Sequence, residues 1–239
     1  MLKSIQRLVR GWAQRVGFDI VHYLPVRTGP MPSVRPEFQH LAFAGAAAQK
    51  LLDDYTFETV LDIGCGAGDQ SEVFLKHAKK VTALDYGKSI YFEKNQHRME
   101  CVIGDFNTMQ FAQQFDCVWA SHVLEHQRNV GLFLDKVFTV TKEGGVVCLT
   151  VPPLQREILG GHLSFWNAGL LLYNLVLAGF NCREASVLHY GYNISVIVKK
   201  KTATLPELAF DNGDVRRIAA FLPEGFYEGF NGDIVSHNW

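Results

Sequence analysis

An excess of basic charge is what this 239-residue chain most plainly lacks: 23 Lys and Arg stand against 24 Asp and Glu, a formal net charge of −1. A nucleic-acid partner ordinarily shows as a basic field, so no nucleic-acid partner is expected. Long apolar runs are also missing. No stretch reaches the roughly 18 residues expected of a membrane span. The hydrophobic content of 48% suits instead one ample core with a small appendage. Cysteine is sparse, at 65, 101, 117, 148 and 182 only. The odd count and scattered spacing argue against a disulfide framework and a zinc cluster, and read as buried reduced thiols of a cytoplasmic protein.

Proline is concentrated rather than spread: four prolines and a glycine fall within residues 25–36, which therefore read as a linker. Ahead of it, charges interrupt Met1 to Val16 throughout, so the segment reads as no secretory leader. Leu2, Ile5, Val9, Trp12 and Val16 recur at helical spacing, with Lys3, Arg7, Arg10 and Arg15 elsewhere. Such a helix either docks on its own domain or lies on an anionic membrane surface, a peripheral contact at the inner face.

The richest stretch runs from Thr59 to Asp85. An apolar run, Thr59-Val60-Leu61, enters Asp62-Ile63-Gly64-Cys65-Gly66-Ala67-Gly68, and a second run, Val81 to Leu84, ends on Asp85. Strand, glycine turn, helix and acid-tipped strand make a nucleoside-binding half of a doubly wound sheet. Dinucleotide sites want a third small residue where this chain has Asp69, and no Gly-Lys-Ser/Thr follows directly on these glycines as a P-loop requires.

This D-x-G-x-G-x-G pattern with Asp85 beyond it resembles motif I of the class I S-adenosylmethionine-dependent methyltransferases. The resemblance, which covers about residues 40 to 200, implies a Rossmann-like, seven-stranded, mostly parallel α/β sheet with helices on both faces and an antiparallel last strand beside the fifth. It also implies S-adenosylmethionine as cofactor, leaving as S-adenosylhomocysteine. Asp62, Gly64, Cys65 and Gly66 would form the loop under its methionine part, with Asp85 and Tyr86 at the ribose. Asp105 and Phe106, ending Cys101 to Phe106, would meet the adenine, and Ser121 and His122 the crevice at the end of the fourth strand.

Spacing places strands near 58–63, 81–85, 99–105, 115–121 and 146–151, the last stopped by Pro152-Pro153. Helices are expected near 37–53, 69–78, 88–97 and 129–140, then Phe165 to Ala178. Strands near 182–189 and 192–199 would close the sheet as a hairpin around Tyr190-Gly191. Three units follow: 1–36 as helix and linker, 37–201 as the cofactor-binding domain, and 202–239 as an extension outside its core. In that extension Asp211 to Asp214 caps a helix to Phe221, and an aromatic, glycine-rich stretch to Gly232 is a candidate cover for an acceptor site.

Methyl transfer to oxygen wants a positioned base, and histidine suits neutral pH. His122 and His126 flank Glu125 after the fourth strand. The string H-x-x-E-H spells a zinc motif but lacks a third ligand and a continuous helix, so no metal is expected. His162, in a Gly160-Gly161-His162 loop after the fifth strand, is the leading base candidate and His126 the second; Ser164 is a candidate N-cap. The segment after the fourth strand lacks the Asn/Asp/Ser-Pro-Pro-aromatic signature of nucleic-acid amino methylation and the glutamate pair of arginine methylation. A small hydroxylated acceptor remains, with a sugar of a surface polysaccharide or nucleotide-sugar pathway first and a quinone-like molecule as the alternative. A non-catalytic scaffold of the same fold is a third reading. The sequence sets no oligomeric state.

Overall fold

The computed structural model describes residues 28–95, 99–155 and 157–239; the amphipathic stretch 1–16 lies outside them. Strands β1 (Thr59–Ile63), β2 (Lys80–Asp85), β3 (Val102–Ile103), β4 (Phe115–Ser121) and β5 (Thr141–Val151) run parallel in the order β3-β2-β1-β4-β5. Then β7 (Asn193–Lys199) pairs antiparallel with β5, β6 (Ser186–Tyr190) with β7, and β8 (Ser236–His237) with β6. The order reverses between β1 and β4, so their carboxyl ends open the crevice where such sheets take ligands.

Both faces of the sheet are covered, and the strands are accordingly apolar without polar alternation. Leu61, Ile63, Val118 and Ala120 face one core with Phe133, Leu134 and Val137 of α3 (Val130–Val140) and Leu171, Leu172 and Leu175 of α4 (Ala168–Leu177). Val60, Cys117 and Trp119 face the other, with Ala47, Ala48 and Leu51 of α1 (Gly45–Asp54) and Val73 and Phe74 of α2 (Asp69–Lys76). Each large side chain removed from water in this way stabilises by about 1.5–3 kcal/mol. At the amino ends of the strands, the Asp116 carboxylate accepts from the Thr59 amide at 2.9 Å and hydroxyl at 2.8 Å and from Lys142 at 2.7 Å, tying β1, β4 and β5 together.

Several sequence expectations are corrected. The helix expected over 37–53 is a 3₁₀ turn, Pro36–Phe38, followed by α1 from Gly45. Ala44 takes a left-handed φ of 58° between them, held by its N–H on the Asn193 side chain, a partner 149 residues away. The helix near 88–97 reduces to a 3₁₀ turn, Phe92–Asn95, and β3 to two exposed edge residues. β5 begins at Thr141, directly after α3, with a register shift where Gly144 and Gly145 lie. Asn167, not Ser164, caps α4, accepting from the Leu170 amide at 2.7 Å. Cys101 is half-buried rather than buried.

The sheet has eight strands, not seven, because the C-terminal stretch adds β8. That stretch also sends Ile218, from α5 (Asp214–Ile218), and Leu222 into the main core, so it is not outside it. The Asp214 carboxylate holds the turn before α5 by accepting from the Ala209 and Phe210 amides. Gly29 bridges to Tyr190 and Arg35 pairs with Asp53 at 2.8 Å, so residues 29–35 run along the domain. Among the described residues no helix is long and apolar enough to cross a membrane.

Candidate active site

The glycine turn leaves β1 through three left-handed residues, Gly64 (φ 72°), Gly66 (φ 50°) and Gly68 (φ 83°), the last at the N-cap of α2. Gly64 is the position that cannot carry a side chain, because a Cβ there would run into the Val123 isopropyl group. The loop is hung from β2: the Gly64 amide donates to the Leu84 carbonyl at 2.7 Å, and the Gly66 amide to the Asp85 carboxylate at 3.0 Å. The other Asp85 oxygen accepts from the Gly87 amide at 2.8 Å. This carboxylate is 7% exposed, so it stands at the mouth of the crevice with its remaining lone pairs for ribose hydroxyls.

Asp62 lies deeper, 2% exposed, and accepts from the Ser71 hydroxyl at 2.5 Å. Burial pushes its carboxyl up to about 7, the Ser71 bond opposing and Asp85 adding to the rise. Asp62 thus braces the turn against α2 from below. Cys65 is buried in the turn with its Sγ 3.3 Å from Cys101 Sγ. Tyr86 is exposed beside Asp85, with the Lys88 ammonium 4.7 Å from its ring centre. Asp105 accepts from the Asn107 amide at 2.9 Å, whereas Phe106 is buried edge-on to Phe133 at 5.0 Å. At the end of β4 the Ser121 hydroxyl is buried with no hydrogen-bond partner among the described residues. A pre-formed turn, a carboxylate at its mouth and an unused buried hydroxyl between β1 and β4 fit a bound nucleoside.

Gly64→Ala is expected to cost about 1–2 kcal/mol for the left-handed backbone alone, with the Val123 clash added. The outcome is a loss of S-adenosylhomocysteine affinity of about tenfold or more, read by calorimetric titration of a variant whose circular dichroism stays native.

Beyond β4 the chain turns at His122, whose φ of 57° is rare for a residue with a side chain. Its ring lies 4.2 Å from that of Phe43 and stacks on Tyr192 at 5.8 Å. Asn193 Oδ1 accepts from the Ala44 amide, so the His122 Nε2 facing it at 3.1 Å carries a hydrogen. His122 Nδ1 then faces Glu125 Oε1 at 3.3 Å, a contact that a proton makes attractive. Glu125 is fully buried, and neither carboxylate oxygen has a hydrogen bond among the described residues. His126 Nδ1 donates to the Gly161 carbonyl at 2.7 Å and turns Nε2 toward Glu125 Oε1, 3.8 Å away. Gly161 allows that approach, since a Cβ on it would come within 2.9 Å of Nδ1.

The Gly160–His162 loop is pinned here by the Leu163 amide on the Glu125 carbonyl at 2.7 Å. That brings His162 edge-on to His126 at 5.0 Å, joining the two sequence-chosen histidines, with burial holding His162 below its usual value and Glu125 opposing. Phe43, Tyr192 and Asn193 join the site from distant segments, and no local pattern marks them.

Fold and site together define an α/β nucleoside-binding domain with a histidine–carboxylate cluster at the rim. Residues 61–149 match the family model described as "Methyltransferase domain". Over this stretch, well under half of the chain, the protein is similar to that family. It is 33% identical over 94 residues to the "Ubiquinone biosynthesis O-methyltransferase" of Nitrobacter winogradskyi, covering 37% of this chain and 36% of that protein. It is 34% identical over 121 residues to the "Demethylmenaquinone methyltransferase" of Thermobifida fusca, covering 45% and 51%. The match thus spans between a third and about half of these curated relatives. A crystal structure of a "SAM dependent methyltransferase from Archaeoglobus fulgidus" superposes with a TM-score of 0.52 at 16% identity, over 60% of this chain and 86% of that one.

Proposed function

We propose that the protein transfers the methyl group of S-adenosylmethionine to a hydroxyl of a small, apolar, quinone-like phenol. The cofactor supplies a methyl group on a sulfonium, ready for in-line displacement. Asp85 and the glycine turn fix the donor, and the acceptor hydroxyl gives up its proton at the Glu125–His126–His162 cluster. There His126 presents Nε2 as a lone pair, because Nδ1 is committed to the Gly161 carbonyl.

The acceptor class rests on the loop that carries His162. Leu154, Ile158, Leu163 and Phe165 all stand exposed on it, Ile158 at 94% and Leu163 at 59%. Grouped exposed apolar side chains mark a surface for an apolar ligand. The names printed for both curated relatives point the same way, which moves the alternative of the sequence reading ahead of the sugar. A hydroxylated sugar is the second reading, favoured by Tyr227, 62% exposed in the aromatic tail. The Gly169 amide donates to the Gly232 carbonyl, so the tail lies at the start of α4, close behind the His162 loop, which suits a cover over the acceptor. The basic segment 1–16 is the part expected to meet a membrane holding such an acceptor.

The test is transfer of labelled methyl from S-adenosylmethionine to a panel of prenylated dihydroxyphenols and nucleotide sugars. Label in the phenols is expected. Label confined to sugars overturns the acceptor class, and no label anywhere from a cofactor-binding protein overturns the transfer.

A further inference from the structure

We propose that Cys65 and Cys101 form a reversible disulfide, made by a peroxide and opened by a thiol reductant, that lowers the affinity of the donor site. Their Sγ atoms stand 3.3 Å apart, although the residues are 36 positions apart in the chain. The fold explains the meeting. The Cys65 amide donates to the Leu84 carbonyl at 3.1 Å, and Val102, directly after Cys101, pairs with the same Leu84 in the β2–β3 ladder. Both cysteines are thus set beside the tip of β2, next to Asp85.

Three observations point to a redox pair rather than to two packed thiols. A disulfide sets its sulfurs about 2 Å apart, so closure takes a movement of little more than an ångström. That movement has somewhere to fall: the glycine turn hangs from β2 by the Gly64, Cys65 and Gly66 amides, whereas Cys101 leads into a two-residue exposed edge strand. Exposure is also divided as a redox pair needs it. Cys101 is half-buried and open to a small oxidant, while Cys65 lies buried behind it as the resolving thiol. The other cysteines, Cys117, Cys148 and Cys182, are fully buried in the cores and out of reach. Burial pushes the Cys65 thiol up, with Asp62 adding, and pushes Cys101 up as well, with Cys65 opposing and Asp85 adding. Little thiolate therefore stands at neutral pH, and the pair stays reduced until an oxidant persists.

The Cys101 thiolate attacks one oxygen of hydrogen peroxide. A sulfur–oxygen bond forms, the oxygen–oxygen bond breaks, and the leaving hydroxide takes the thiol proton to become water. The Cys65 thiolate then attacks the Cys101 sulfur, the disulfide forms, and the displaced hydroxide takes the Cys65 proton. Two thiols have given two electrons to one peroxide. Closure draws Cys101 toward the turn, and with it β3, whose Ile103 pairs with Asp85 and whose following Gly104 amide donates to the Asp85 carbonyl at 2.9 Å. The gap between the glycine turn and β3 narrows where a nucleoside would lie. The coupling rests on the donor-site reading given above, and it acts both ways: bound ligand opposes closure as closure opposes binding.

The test uses the full chain, reduced or treated with hydrogen peroxide, with peptide mapping and calorimetric titration of S-adenosylhomocysteine. A linked Cys65–Cys101 peptide is expected, with affinity about tenfold below the reduced parent and restored by dithiothreitol. In a thiol–disulfide redox buffer, saturating ligand is expected to raise the pair's midpoint potential by about 30 mV, the same tenfold converted for a two-electron couple. Cys101→Ser is expected to bind as the reduced parent does, before and after peroxide. The peptide map is read on the parent, so it needs no variant to fold. Absence of the linked peptide, a linked pair with unchanged affinity and potential, or the same peroxide response in Cys101→Ser overturns the switch. Loss of binding in the reduced parent marks instead the failure of the donor-site reading, and removes the coupling with it.

Discussion

Asp85→Ala is expected to weaken S-adenosylhomocysteine binding by about 100-fold or more, which is about 3 kcal/mol. Two contributions combine. The carboxylate holds the Gly66 and Gly87 amides at 3.0 and 2.8 Å, so its removal frees the turn on both sides of the ligand. The substitution also removes the charged acceptor proposed for the ribose hydroxyls, where each hydrogen bond to a charged group contributes about 1.5–3 kcal/mol. Asp85→Asn keeps the shape but turns an NH₂ group toward one of two amide donors, and falls between. Calorimetric titration of both variants measures this; affinities within about threefold of the parent, a difference below 1 kcal/mol, would remove Asp85 from the site.

The second large effect is a dependence of stability on pH set by Asp62. Burial disfavours the charge and pushes its carboxyl up to about 7 in the folded chain, against the usual carboxylate value of 3.8. A raised folded-state value means the folded chain holds a proton that the unfolded chain has already released. The stabilisation is therefore complete below about pH 4 and is lost as pH rises toward 7. Between pH 5 and pH 8 the loss from this group is about 2–3 kcal/mol. Asp62→Asn keeps the Ser71 hydrogen bond and removes the titration. Urea unfolding of the two proteins at both pH values is expected to show the variant gaining on the parent by about that amount. Parallel profiles would mean that Asp62 is ionised at neutral pH.

The parts that sequence made legible are those set by local physics. Strands buried on both faces read as continuous apolar runs, so β1, β2, β4 and the β6–β7 hairpin are legible to within a few residues. The Asp62-to-Gly68 turn was readable because positive φ demands glycine. The features that no local pattern displays depend on distant partners. The break at Ala44 is held by Asn193, and β8 exists only because β6 offers it an edge. Likewise His126 and His162 meet through the Leu163 amide on the Glu125 carbonyl, which no spacing along the chain displays. His162, the third member of the cluster, is legible in the sequence as a residue but not as a neighbour of Glu125.

Calorimetric titration of the full chain with S-adenosylhomocysteine, and separately with NAD, tests the central assignment of residues 60–106 as a methyl-donor site most directly. The account predicts saturable one-to-one binding of S-adenosylhomocysteine, weakened about 100-fold or more by Asp85→Ala, and no heat with NAD. Binding of NAD without binding of S-adenosylhomocysteine would contradict it.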